Sequence, residues 1–281
     1  MVRDESTPGA APHANGTRNA RRRAVDRVRE PLPTHVDDTP DLPAGYHDAL
    51  EAGLVALDLD LPPSTRAAID GHVRMLLAWT SAINLTAIRD PTAAATGHVL
   101  DSLSAVSLVR TFGAGRVLDL GSGGGLPGLP LALATPMEHA LLVEPIGKKA
   151  RFLRAVIDAI GAAGRIDVAA DRVEALARDP RHRGRWPLVT ARAVASTAEL
   201  VELALPLLSE RGHLLAWKRG DLREETGAAA IALRALGGGT LDVVDVTVPG
   251  LEDHRLVVVT RRGRVPEMYP REPAARRRRP W

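Results

Sequence analysis

The densest chemistry in the sequence lies in residues 116–134, "RVLDLGSGGGLPGLPLALA". Gly121, Gly123 and Gly125 recur at every second position after a short apolar run. Without Cβ, such a loop can take positive φ and let a ligand lie against its main chain. Pro127 can open a helix whose free N–H groups point toward the same place. Gly123, Gly125 and Gly128 also satisfy the dinucleotide pattern G-x-G-x-x-G. The glycines alone therefore fit two ligands, a nicotinamide dinucleotide and S-adenosylmethionine. Asp119 favours the second: two residues before Gly121, an acid can order the loop and face a cationic ligand, directly or through water. Glu144 closes the apolar run of "HALLVEP". A carboxylate at a strand end can accept two hydrogen bonds from a ribose diol, which both ligands carry.

Other reactive side chains are scattered. Val173 and Glu174 lie in "AADRVEAL", where a loop or a plain helix start with an acid in its first turn would fit. Arg192 can bond a carboxylate or a phosphate, or form a structural pair with Glu199 or Asp119. Lys148, Arg151 and Arg154 recur at three-residue steps, as phosphate contacts or as a solvated helix face. Lys218 in "LAWKRG", at the end of the fifth strand candidate, is the stronger candidate for such a contact. His98 and Asp101, three apart, resemble a pair of metal ligands, but without a further ligand nearby a helix–loop hydrogen bond accounts for them better. No metal site is expected.

These residues need a scaffold. From residue 116, strand candidates fall at 116–120, 140–144, 165–169, 188–192, 213–217, 242–248 and 255–261. Helical segments at 127–134, 148–160, 171–178, 196–208 and 222–236 lie between most of them. That alternation predicts an α/β fold with a mainly parallel sheet covered on both faces. The last two strands have only a short link and must be antiparallel. A seven-stranded, mostly parallel sheet with one antiparallel strand is the Rossmann-like class I methyltransferase arrangement. Upstream, Leu50, Leu54 and Leu57, then Ile69, Val73, Leu76 and Leu77, repeat at helical spacing. Ser64 is the expected cap of the second helix, and Asp90–Pro91 starts a third with the buried stripe Val99, Leu103 and Val106. The expected organisation is a disordered extension over 1–45, a helical section over 46–110, the methyltransferase domain over 111–263 and a basic tail over 264–281.

Composition narrows the function classes. The chain of 281 residues is 45% apolar and holds no cysteine, which excludes thiol nucleophiles, disulfides and zinc–thiolate sites. No apolar run approaches a membrane span, and no signal-peptide pattern opens the chain, so a cytoplasmic protein is expected. The net charge of +3 is unevenly spread: residues 261–281 hold eight Arg against two Glu. Such a cluster suits a polyanion partner or a solvated tail. The run "RNARRRAVDRVR" near the start reads as an unconstrained extension more than an RNA contact.

Several separated blocks together resemble the ribosomal small-subunit methyltransferase G family, also called glucose-inhibited division protein B. They are "NLTAIRDP", "HVLDSL", "VLDLGSGGGLPGLPLA", "GKKARFL", "DRVEAL", "TARAVAS", "WKRG", "HRLVVV" and "YPREP", spanning roughly residues 75–272. The resemblance implies S-adenosylmethionine-dependent N7-methylation of one guanine in 16S ribosomal RNA, within the small subunit or an assembly intermediate. It places cofactor contacts on Gly121, Leu126, Val173, Glu174 and Arg192, beside Gly123 and Glu144 from the motif chemistry. Guanine N7 carries a lone pair and no proton at neutral pH, so no general base is needed and no catalytic base is assigned. The sequence departs from the family at Trp186–Pro187, where a Phe-Asp pair is usual, at Lys218-Arg219-Gly220, and at Glu144, where many relatives have Asp. The alternatives are an NAD(P)-dependent oxidoreductase and a non-catalytic RNA-binding or ribosome-assembly protein.

Overall fold

The computed structural model describes residues 31–281. The helical section comprises α1 (Ala44–Ala56), α2 (Pro63–Thr80), α3 (Pro91–Ala94), a π-helical turn (Ala95–Leu100), α4 (Asp101–Leu103) and α5 (Val106–Phe112). Then β1 (Arg116–Leu120), α6 (Gly128–Ala134), β2 (His139–Val143), α7 (Gly147–Ala159), β3 (Ile166–Ala169) and α8 (Val173–Arg178) follow. The second half holds β4 (Trp186–Arg192), α9 (Thr197–Ala204), β5 (Leu208–Arg219), α10 (Arg223–Ala235), β6 (Gly239–Asp245), β7 (His254–Arg261) and α11 (Pro273–Arg278).

The seven strands form one sheet in the order β3-β2-β1-β4-β5-β7-β6. β7 runs antiparallel to both β5 and β6, and the other pairings are parallel. The short connection from β6 to β7 cannot cross the sheet, so it must reverse the chain beside β6. Side chains alternate across each strand. Leu215 and Trp217 of β5 face one core with α2, α6 and α7, whereas Leu214 and Ala216 face a second core with α9 and α10. The first core also takes the stripes of the helical section, including Leu54, Ile69, Val73, Leu76 and Val99. Trp79 of α2 meets Phe152 of α7 with ring centroids 5.5 Å apart.

Some local expectations differ from the structure. Ser64 is not the cap of α2, because Pro63 already occupies its first turn and Pro62 precedes it. Asp90 does cap α3, accepting from the Ala93 amide at 2.9 Å. β5 begins at Leu208 rather than 213, at the expense of the expected end of α9. Proline is accepted at Pro187 because β4 pairs irregularly there, between Trp186 and Leu188. The arginine-rich run near the start lies outside the described residues. Of the stretch expected to be disordered, residues 32–45 pack on α2: the Trp79 indole donates to Pro33 O at 2.8 Å, and Arg74 donates to Thr39. Among the described residues no helix is long and apolar enough to cross a membrane.

Candidate cofactor cradle and substrate cleft

The glycine loop leaves β1 in the centre of the sheet, where β1 lies between β2 and β4. Gly121 and Gly123 have φ of +66° and +54°. A Cβ at Gly121 would come within 2.8 Å of the Val194 side chain, so the loop after β4 closes on the loop after β1. At Gly123 a Cβ would meet only Gly121 O, at 3.7 Å, which leaves open space beside the main chain. Leu126 is buried in the first core.

Three side chains hold this loop in shape. Glu144, just past β2, is 4% exposed. Its Oε2 accepts from the Gly123 amide at 2.9 Å and its Oε1 from the Ile146 amide at 2.8 Å. The carboxylate thus braces the loop before any ligand arrives, and each oxygen retains a lone pair for a ribose hydroxyl. Asp119 is fully buried; Oδ1 accepts from the Thr190 hydroxyl at 2.7 Å, and Oδ2 has no partner. Burial pushes the Asp119 carboxyl up to about 6, against the opposing hydrogen bond from Thr190. The third side chain is His72 of α2, which sequence reasoning missed. Its Nε2 lies 2.7 Å from Gly124 O, and since that carbonyl can only accept, Nε2 carries the proton. Burial pushes His72 down to about 4, so it is neutral near pH 7. No motif announces it, because its partner is 52 residues away along the chain.

These features fit an S-adenosylmethionine cradle: positive-φ glycines, open space beside Gly123, an orphaned buried carboxylate oxygen and an acid at the end of β2. Val173 is half-buried and Glu174 buried, in the turn that follows β3. β3 lies beside β2 on the side away from the glycine loop, and its last residue, Ala169, accepts from the Glu144 amide at 3.0 Å. The turn after β3 therefore leaves the sheet beyond Glu144, on the side where the base of a ribose-bound adenosyl group would lie. The Glu174 carboxylate is already committed, accepting from Arg276 at 2.6 Å, so the main chain is what this residue offers a ligand.

A cleft of about 570 Å³ opens at the carboxyl ends of β4 and β5. Arg192 lines it, paired with neither Glu199 nor Asp119. Its Nη1 donates to Asp101 Oδ2 at 2.7 Å, because the π-helical turn delivers Asp101 directly over the end of β4. Asp101 Oδ1 lies 2.7 Å from His254 Nδ1, and the Trp217 indole donates to Asp101 O at 2.7 Å. His98 makes the helix–loop hydrogen bond, 2.6 Å between Nε2 and Thr86 Oγ1. Burial pushes it down to about 4, leaving it neutral near pH 7. Among the described residues no group of three His, Asp or Glu side chains could hold a metal ion. Lys218 also lines the cleft, with Nζ 2.5 Å from Glu225 Oε1 and 2.7 Å from Ala195 O. Lys148, by contrast, is exposed on α7 with Arg151 and Arg154. The tail arginines are not one group: Arg277, Arg278 and Arg279 are exposed, whereas Arg276 is buried and bonded to Glu174 and Glu199.

The architecture is shared with an O-methyltransferase from Bacillus cereus, solved in complex with SAH. That match has a TM-score of 0.52 at 15% identity and covers 76% of this chain and 99% of the other. The family model described as rRNA small subunit methyltransferase G matches residues 65–253. Among curated relatives, ribosomal RNA small subunit methyltransferase G of Dehalococcoides mccartyi (strain CBDB1) is 40% identical over 220 residues, 78% of this chain and 93% of the relative. The protein of the same name from Roseiflexus sp. (strain RS-1) is 42% identical over 205 residues, 73% and 87% of the two chains. The matched region contains the glycine loop, Glu144, Arg192 and Lys218, and the chain belongs to the rRNA small subunit methyltransferase G family.

Proposed function

We propose that this protein transfers a methyl group from S-adenosylmethionine to N7 of one guanine in 16S ribosomal RNA. The substrate would be presented by the small subunit or an assembly intermediate, which places the reaction in the cytoplasm. The observation that carries the reading is the meeting of two sites on one loop. Val194 closes on Gly121 of the cradle, and Arg192, two residues earlier, lines the cleft. A cofactor in the cradle and a base in the cleft would then share a wall.

When bound, the sulfonium supplies an electrophilic methyl group and its own leaving group. The protein's task is alignment and exclusion of water. Glu144, Asp119 and His72 fix the loop that would hold the cofactor; Gly121, Gly123 and Leu126 form it; Val173 and Glu174 border its far side. Guanine N7 presents only an acceptor lone pair, so no group in the cleft has to take a proton from it. The cleft suits this demand: His98 is held neutral and bonded to Thr86, and Asp101 is engaged by Arg192 and His254. Arg192 and Lys218 would meet the RNA as cations already paired with Asp101 and Glu225, while the exposed Lys148 and tail arginines would supply the outer phosphate contacts. Family membership and the antiparallel β7 favour methyl transfer over hydride transfer.

The test uses labelled S-adenosylmethionine with purified small subunits lacking the modification. The expected result is one methyl group per subunit, with no change in nicotinamide absorbance when NAD(P)H replaces the cofactor. Cofactor binding without transfer to any ribosomal RNA substrate would point instead to an assembly role.

A further inference from the structure

The turn at Arg172–Glu174 begins a helix of only six residues, α8, which packs Leu176 and Ala177 into the second core. It is gripped at both ends by one distant segment. At its start, Glu174 accepts from Arg276 Nη2 at 2.6 Å; at its end, Arg178 pairs with Glu272 at 2.8 Å and donates to Pro270 O at 3.2 Å. Arg276 is itself fixed. Its Nε donates to Glu199 Oε1 at 3.0 Å and its Nη1 to Arg271 O at 2.6 Å. The segment is pinned in turn by Arg271, whose guanidinium forks onto the fully buried Glu202 carboxylate and lies under the Trp281 ring. This is far more structure than a chain of arginines needs in order to attract polyanions.

We propose that Arg276 is a positioning residue for the cofactor: with Glu272 it latches α8 and fixes the Arg172–Glu174 turn that borders the adenosyl side of the cradle. The inference rests on the cofactor reading given above. It assigns Arg276 to cofactor binding and leaves RNA attraction to Arg277, Arg278 and Arg279. Removing the guanidinium leaves the Glu174 carboxylate buried without its partner, and the turn must open to hydrate it.

Calorimetry on the full chain tests the latch, with S-adenosylhomocysteine and 5′-methylthioadenosine as ligands. The second ligand lacks the amino-acid end and reports the adenosyl side alone. Arg276→Met is expected to weaken both ligands by the same factor, at least ~10-fold. Arg276→Lys should recover most of that loss, and Arg278→Ala should bind as wild type. Ligand protection of amides 172–176 from hydrogen exchange should vanish in Arg276→Met. Should that variant not fold, the Glu174→Gln/Arg276→Met pair removes both buried charges and is expected to melt normally yet bind weakly. Wild-type affinity and protection in whichever variant folds would overturn the latch, as would a loss confined to S-adenosylhomocysteine. Gly123→Asp run in parallel separates the two layers. If it binds as wild type, the cradle itself is misplaced and the latch has nothing to serve; if it fails while Arg276→Met binds normally, only the latch is wrong.

Discussion

Arg192 at the end of β4 donates to Asp101 Oδ2 at 2.7 Å, and this ion pair ties the sheet to the helical section at the mouth of the cleft. Both partners are largely buried, with side chains 16% and 4% exposed. The pair does two things at once: it holds the π-helical turn over β4, and it aims the guanidinium into the cleft.

Arg192→Ala should therefore be costly in stability as well as in turnover. Breaking a largely buried pair from one side costs about 3 kcal/mol. Arg192→Lys keeps a cation beside Asp101 and should restore most of the melting temperature, but a lysine lacks the planar fork and should not restore methyl transfer. Thermal melting and single-turnover methylation of small subunits check this. A lysine variant with wild-type turnover would show that the guanidinium acts only as a structural cation.

Gly123→Asp should abolish S-adenosylmethionine binding in a folded protein. Aspartate tolerates the left-handed backbone better than most residues, and a Cβ here meets no side chain. Its carboxylate would then occupy the ligand's space close to Glu144, whose Oε2 already takes the Gly123 amide. Calorimetry on a variant with unchanged circular dichroism checks this; unchanged affinity would reject the cradle.

Glu144→Ala should weaken the cofactor by about 1–3 kcal/mol through a lost ribose acceptor. It should also lower the melting temperature of the ligand-free protein, since the Gly123 and Ile146 amides lose their acceptor. Glu144→Asp should lose less on both counts. Affinity that survives in the alanine variant would place the ribose contact elsewhere.

His72 gives the protein an acid-sensitive loop. Burial holds its folded-state pKa at about 4, below the ordinary value of 6.5. Between those values the unfolded chain binds the extra proton, so stability is full above pH 6.5 and falls as pH drops toward 4. The group contributes roughly 3 kcal/mol to that loss. His72→Gln can still donate to Gly124 O but does not titrate, so its denaturant stability should fall less between pH 6.5 and 4. Parallel curves for the two proteins would remove His72 from the acid response.

The parts of the fold legible in the sequence are those set by local pattern. Alternating apolar runs give the strands, and the short connection between β6 and β7 gives their antiparallel pairing. The glycine loop and Glu144 were visible because the loop and the end of β2 each carry their signal within a few residues. What was hidden depends on distant partners. Asp101 reads as half of a weak metal pair until β4 brings Arg192 to it. His72 reads as one more residue on an apolar helix until Gly124 meets it. Arg276 reads as one of four tail arginines until Glu174 and Glu199 bury it. Charge counting assigns all four to solvent or RNA, because sequence carries no mark of which one the tail turns inward.

The central claim is methylation of guanine N7 in small-subunit RNA, and mass mapping of 16S ribosomal RNA tests it most directly. RNA is taken from cells with the gene, without it, and with the Gly123→Asp form restored. The expected result is a single 7-methylguanosine present only with the intact gene. It should reappear in vitro when the purified protein and S-adenosylmethionine are added to subunits from the deletion strain. An identical modification map in all three strains would contradict the account.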